Sequence, residues 1–216
     1  MKKRRIFSGV LFFAFVIFTV LVRIVDVRPI GPEESLVGFS TLNQYVHNLL
    51  GVHMTWYHIT DWLGLFAVFI AFCFAGTGVC QLIKRKSIKK VDPSILALGG
   101  FYVAVVTAYL FFEKVIINYR PILLDGGAEP SYPSSHAMIV LCIMATAMME
   151  IRALSSRKKK MVLVLDTVFI LVMAVTVVGR LISGVHWFTD IIGGILLSAA
   201  LVTFYGSILK EKIKMM

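Results

Sequence analysis

Six apolar runs, each close to the length of a membrane-crossing helix, constrain this chain more than any other feature. A helix that spans the hydrocarbon of a bilayer needs roughly 20 apolar residues at about 1.5 Å rise each. Ile6–Val22 carries no charge and extends to Val25 if Arg23 snorkels its head group to the interface. Trp62–Ile83 and Pro93–Phe112 are uncharged throughout. Ser134–Arg152 is a weaker run, with His136 near one end and Glu150 near the other. Met161–Gly179 holds a single acid, Asp166, and Ile191–Leu209 holds none. With 58% of its 216 residues hydrophobic, the chain has too little polar surface for a soluble domain of its size. The expectation is an all-α fold, a six-transmembrane helix bundle forming one domain over residues 1–216 with no internal repeat.

The basic residues orient this bundle. Most of the 22 Lys and Arg fall in four clusters: Lys2–Arg5, Lys84–Lys90, Arg152–Lys160 and Lys210–Lys214. A six-span path puts all four on one side, and the positive-inside rule makes that side the cytoplasm. Both termini are therefore expected inside, in the plasma membrane. The net charge of +10 raises nucleic-acid binding in a soluble protein, but here topology accounts for it and no nucleic-acid partner is expected. The first apolar run also resembles a signal peptide. It is longer than a typical signal core, however, and Asp26-Val27-Arg28-Pro29 offers no small-residue cleavage site, so an anchor that stays is expected. Cys73, Cys80 and Cys142 all lie within apolar runs and read as packing residues, with no disulfide framework or metal-ligand spacing.

Between the first two spans, after Pro29, Gly31 and Pro32, Leu42, Tyr45, Val46, Leu49 and Leu50 recur at helical spacing. Thr41 and Gln44 have the spacing of a capping box. The expectation is a short amphipathic helix in the outer interface, with His47 on its polar face. His53 and His58 follow it and, with His47, read as polar groups near water.

Five basic residues remain for the outer side: Arg23, Arg28, Lys114, Arg120 and Arg180. Three of them sit at span ends beside histidines and acids. Span three leaves through Glu113, Lys114 and Arg120-Pro121. Span four enters through Pro133-Ser134-Ser135-His136, and spans five and six are joined by a link running from Arg180 through His186 to Asp190. Snorkelling and interfacial aromatics such as Trp187 and Phe188 explain any one of these groups, but not all of them on one face. The chemistry suits a phosphate. A helix opening at Pro133-Ser134-Ser135 offers free N–H groups and a positive dipole end. Arg120 and Arg180 can grip phosphoryl oxygens bidentately. His186 and Asp190 are four apart, so on the first turn of span six they share a face. The carboxylate then fixes the tautomer and leaves the other nitrogen free to attack phosphorus. His136 is placed to protonate the leaving oxygen.

At these residues the chain resembles the type 2 phosphatidic acid phosphatase family, whose fold is shared with vanadium haloperoxidases. The family's first motif is Lys, six residues, Arg-Pro; here Arg120-Pro121 is present and Lys114 stands one position too close. The second, Pro-Ser-Gly-His, reads Pro133-Ser134-Ser135-His136. The third, Ser-Arg, five residues, His, three residues, Asp, reads Gly179-Arg180, then His186, then Asp190. The resemblance implies a membrane phosphatase of lipid phosphates or diphosphates that works at the outer face without a metal or other cofactor. It implies that His186 forms a phosphohistidine, Asp190 orients it and His136 protonates the leaving group. Arg120, Arg180, Ser134 and the backbone at Ser135 are implied to hold the phosphate. Substrates of this class are undecaprenyl diphosphate, phosphatidylglycerol phosphate and phosphatidic acid, with membrane lipids as surroundings. A phosphotransferase with another acceptor and a non-catalytic transporter or binder are the competing readings. Short outer loops disfavour the first, and a nucleophile with its own orienting acid disfavours the second. Asp125 and Glu129 match no motif and read as solvated loop charges, and Asp166 as an interfacial partner of Lys158–Lys160.

The first motif leaves two geometries open. Seven residues of α-helix turn through about 700°, nearly two full turns, whereas six fall about 120° short of that face. If the helix runs unbroken to Arg120, Glu113 shares its face and Lys114 points aside. If it ends early, as Asn118-Tyr119 before Arg120-Pro121 permits, the flexible stem of Lys114 reaches the phosphate. The family's lysine favours Lys114.

Overall fold

The computed structural model describes residues 2–124, 127–154 and 159–214. Within them the chain forms α1 (Lys2–Ile24), α2 (Ser40–Leu50), α3 (Met54–Arg85), α4 (Pro93–Lys114), α5 (Ser135–Leu154), α6 (Lys159–Ile182) and α7 (Phe188–Lys214). All but α2 are long and apolar enough to cross a membrane. Phe13, Trp62, Phe72 and Leu163 are among the many large apolar side chains exposed along these helices, as expected where the solvent is lipid rather than water. The six-span bundle is the one expected. Its second span differs, opening at Met54 rather than Trp62 and so taking Asp61 into the helix.

α5 and α7 form the centre. Half of the spanning stretch of each is buried against protein, far more than for the other spans. α1 lies along α7, and α5 packs on α3, α6 and α7. This explains why α5 is the least apolar run: its polar groups meet protein, not lipid. The fully buried Glu150 accepts a hydrogen bond from Tyr205 of α7. Ser198 of α7 donates to the Met138 carbonyl at 3.3 Å, and Ser8 of α1 donates to the Ala200 carbonyl at 2.8 Å.

At one end of the bundle the α4–α5 connection folds back on itself. Arg120 donates its backbone N–H to the Glu129 carbonyl at 3.0 Å, and Ser131 donates to the Asn118 carbonyl at 2.9 Å. Tyr132 anchors the return: it is buried, stacks on Phe15 and shares a 2.7 Å hydrogen bond with Thr19 of α1. α7 passes so close that a Cβ on Gly193 would stand 2.6 Å from the Tyr132 ring, and one on Gly194 3.0 Å from the Ser134 carbonyl.

α2 is amphipathic, with Leu42, Tyr45 and Leu49 exposed and Ser40 and Asn43 buried. The capping box does not form. Asp26 does the capping instead, its carbonyl accepting from the Ser40 N–H at 2.9 Å and its Oδ2 from the Thr41 N–H at 2.7 Å. His47 is half-buried against Trp187, with ring centroids 5.5 Å apart. Its burial holds it below the ordinary imidazole range, so it is not the water-facing group that the sequence suggests. Of the three cysteines Cys142 is buried, whereas Cys73 and Cys80 face outward. Asp166 pairs with Arg152 at 2.7 Å rather than with the lysine cluster, of which Lys158 lies outside the described residues.

Candidate active site

Where the fold-back meets the α6–α7 turn, four of the singled-out cationic or titratable side chains come together: Arg120, His136, Arg180 and His186. The charges acting on His136 are those of Arg180, Asp61, His186 and Arg120, and those acting on His186 are Arg120 and Arg180. His186 does not lie on a helix. It occupies the turn before α7, two residues ahead of Phe188, and the turn is shaped by Gly184 at φ 72°. A side chain at Gly184 would also meet the Gly51 carbonyl at 2.5 Å.

Asp190 is held from two sides. Its Oδ2 accepts the Trp187 N–H at 2.9 Å, and its Oδ1 accepts Asn118 Nδ2 at 3.2 Å. The same Oδ2 stands 3.6 Å from His186 Nδ1, just beyond hydrogen-bond length. Both side chains are buried. Burial, reinforced by Arg120 and Arg180, holds His186 well below the ordinary imidazole range, so its ring is neutral at neutral pH. The turn is braced from outside by α2: Thr189 donates its N–H to Asn43 Oδ1 at 3.1 Å, and Asn43 Nδ2 donates to Thr189 Oγ1 at 3.0 Å. Trp187 Nε1 donates to the Tyr119 carbonyl at 2.8 Å, tying the turn to the segment that carries Arg120.

His136 lies in the first turn of α5. Ser134, just outside that helix and fully buried, caps it, its Oγ accepting the Ala137 N–H at 3.5 Å. Ser134 also donates its N–H to the Asp190 carbonyl at 2.9 Å, which fastens the two halves of the site together. Ser135 and His136 line a cavity of about 340 Å³ whose other walls are Asp61, Gly64, Leu65 and Val68 of α3, Tyr109 of α4, and Ile139 and Val140 of α5.

Lys114 is the last residue of α4 and is exposed, and the polar contacts described within this cluster do not include it. The helix ends there, so the unbroken-helix geometry that would align Glu113 with Arg120 is not adopted. Glu113 instead lines a small pocket with Tyr109, Ser131 and Ser135. Glu129 is not a free loop charge: its Oε2 is 2.9 Å from Arg120 Nε, close enough to pair though off the line of a hydrogen bond. Asp125 lies outside the described residues.

Two residues at the site escape the sequence reading. Asn118 holds Asp190. Asp61 of α3 holds both Arg180, which bonds to it through Nη2, and His136, whose Nε2 is 3.1 Å away. Arg180 also lies 4.9 Å over the Tyr57 ring. A signal for Asp61 was present, since an acid abutting an otherwise uncharged span is a functional candidate by default. A span that opens at Trp62 leaves Asp61 just outside it.

Several buried nitrogens in this cluster have no hydrogen-bond partner among the described residues: the donors Arg120 Nη1, Arg180 Nε and Nη1, and the ring nitrogens His136 Nδ1 and His186 Nε2. Buried donors are nearly always bonded, and a tetrahedral oxyanion accepts from this many at once. A model of the PAP2 superfamily matches residues 66–214, more than half of the chain. This chain belongs to the PAP2 superfamily. Its fold is similar to the crystal structure of a transmembrane PAP2-type phosphatidylglycerolphosphate phosphatase from Bacillus subtilis. The TM-score is 0.63 at 15% identity, over 94% of this chain and 96% of that one. No curated protein matches with significant similarity. Within the PAP2 frame the departure at Gly179 has a local cause. A Cβ there would stand 2.7 Å from Thr60 Cγ2 and 3.0 Å from the Trp56 ring, so the glycine is what lets α6 and α3 touch where Asp61 meets Arg180.

Proposed function

We propose that this PAP2 protein is a single-domain phosphatase of lipid phosphates or diphosphates, acting at the extracytoplasmic face with both termini inside. The observation that carries the reading is the cluster of guanidinium donors and imidazole nitrogens, unpartnered among the described residues, beside a cavity bounded by Leu65, Val68, Ile139 and Val140. A phosphate satisfies the donors, and an apolar tail suits the walls.

The reaction follows from the placement of the groups. His186 is neutral, so Nε2 has a lone pair to offer phosphorus while Nδ1 faces Asp190. As the N–P bond forms, the bond from phosphorus to the leaving oxygen breaks. Its electron pair stays on that oxygen, which takes a proton from His136. Water then attacks the phosphohistidine and gives a proton to His136. The P–N bond breaks, releasing orthophosphate and restoring both rings. Arg120 and Arg180 meet the charge that develops on the phosphoryl oxygens, and the amides at the start of α5 add donors. Ser134 and Ser135 act through that helix start. Lys114, exposed at the end of α4, is the outlying member, its long flexible stem swinging to the phosphate once that is bound. Among substrates, phosphatidylglycerol phosphate is the one named for the similar Bacillus subtilis structure; undecaprenyl diphosphate and phosphatidic acid share its chemistry.

Phosphate release from these three lipids by purified protein in detergent tests the reading. Release from at least one, abolished in His186→Ala, is expected; release from none sinks it. Orientation is tested with single cysteines at Gly127 and Ser156 in a background lacking the native three. An impermeant thiol reagent on intact cells should label the first and not the second.

A further inference from the structure

We propose that Asp61 is a positioning residue for the leaving-group acid, giving His136 a carboxylate, shared with Arg180, as Asp190 gives one to His186. The proposal rests on the phosphatase reading above. Asp61 lies within α3, where a carboxylate surrounded by lipid and apolar side chains is costly unless it is paired. Its single oxygen Oδ1 meets both Arg180 Nη2 and His136 Nε2, the latter at 3.1 Å. Arg180 is fully buried while Asp61 is 33% exposed toward the cavity.

Two glycines make the arrangement possible. A Cβ on Gly64 would stand 3.1 Å from His136 Cδ2, and one on Gly179 2.7 Å from Thr60 Cγ2. With both sites bare, α3 packs against α5 and α6 at the level where Asp61 reaches the two cations. The helix contact and the charge contact are thus one construction.

The consequence for His136 is geometric first. With Nε2 turned to Asp61 at 3.1 Å, close enough to pair though off the line of a hydrogen bond, the carboxylate favours the tautomer protonated on Nε2. The nitrogen left for proton exchange is Nδ1, which has no hydrogen-bond partner among the described residues. When a phosphate dianion binds, the ring stands between two anions, and the protonated form is favoured just as the leaving oxygen needs a proton. As the P–O bond breaks, that oxygen keeps the electron pair and takes the Nδ1 proton, and Asp61 remains a carboxylate throughout. Arg180 is anchored by the same oxygen through one amino group, and its Nε and Nη1 stay free for the phosphoryl group.

Two measurements test this. General acid catalysis contributes about 10²–10⁴-fold where the leaving group is poor. Asp61→Asn should therefore lower kcat on a lipid phosphate roughly 10-fold or more beyond its effect on p-nitrophenyl phosphate, whose leaving group needs no proton; the loss common to both substrates reports the Arg180 anchor. In Asp61→Asn with His136→Ala, the losses should not multiply, because the two residues act as one unit. Equal losses on both substrates, multiplicative losses in the double variant, or a rise in activity with a lower KM would overturn the proposal while leaving the phosphatase reading intact. The second measurement needs neither turnover nor a variant. Nitrogen-15 histidine spectra of the wild type in detergent, with inorganic phosphate present, should show His136 carrying a proton on Nε2. A ring protonated on Nδ1 alone refutes the Asp61 contact outright, whatever the lipid assay gives, whereas an inactive wild type refutes only the phosphatase reading.

Discussion

Restoring the family's serine at Gly179 should damage this protein. A Cβ at that position would sit 2.7 Å from Thr60 Cγ2 and 3.0 Å from Trp56 Cε3. Carbon atoms rest about 3.5–4.0 Å apart, so α3 and α6 must separate by roughly 1 Å to admit the new side chain. Thr60 is fixed, with its Oγ1 bonded to the Trp56 and Tyr57 carbonyls at 2.8 and 2.9 Å, and it is fully buried. It has no free rotamer into which to retreat. Overpacking of this kind costs about 1–3 kcal/mol. The Asp61–Arg180 hydrogen bond, which joins α3 to α6 beside this clash, is stretched by a similar amount. A displacement of about 1 Å at a reacting group can cost on the order of 100-fold in rate. Gly179→Ser should accordingly lower both the Tm in detergent and kcat/KM on a lipid phosphate. Adding Thr60→Ala, which deletes the nearest clashing methyl, should return part of each. If Gly179→Ser keeps wild-type Tm and kcat/KM, the close approach of α3 and α6 does not hold the site.

Other expectations concern the groups themselves. His186→Ala should abolish turnover with the protein still folded. His136→Ala should lose most of its rate on lipid substrates and recover part of it with a better leaving group. The depressed pKa of His186 carries a sign for stability. Above the unfolded value of about 6.5 both states are neutral. Below it the unfolded chain takes up a proton that the folded one refuses, so stability falls as pH drops from there toward the folded pKa. The wild-type Tm should therefore fall relative to that of His186→Asn between pH 7.5 and 5, and a flat difference would contradict the neutral ring. Lys114→Ala should lower kcat/KM while Glu113→Gln does little. The opposite pattern would make Lys114 a surface charge.

The sequence carries the spans because a bilayer imposes one length on every crossing helix. The motif residues Arg120, His136, Arg180, His186 and Asp190 are legible because each sits at a span end, where an ionisable group is out of place. His186 was misplaced onto the first turn of the last helix because a spacing of four describes a turn held by Asp190 as well as it describes a helix. Asp61 and Asn118 were missed because their partners lie 119 and 72 positions along the chain, distances at which one sequence records no pairing. Glu129 failed as a loop charge for the same reason, its partner Arg120 being fixed by a fold-back with no periodic pattern of its own.

The buried acid of α5 bears on how the chain is assembled. One oxygen of Glu150 accepts the hydroxyl of Tyr205, 55 residues later. During synthesis α5 reaches the membrane before α7 has been made, and an acid near the middle of a lone helix costs about 2.5–3.5 kcal/mol on insertion scales. Glu150 lies close to the α5 terminus, where that cost is smaller, yet its tyrosine partner is absent until the last span arrives. α7 therefore brings the tyrosine donor to that acid only at the end of synthesis. A nascent chain halted before Tyr205 should keep α5 packed on α3 and α6 while its acid still lacks that donor.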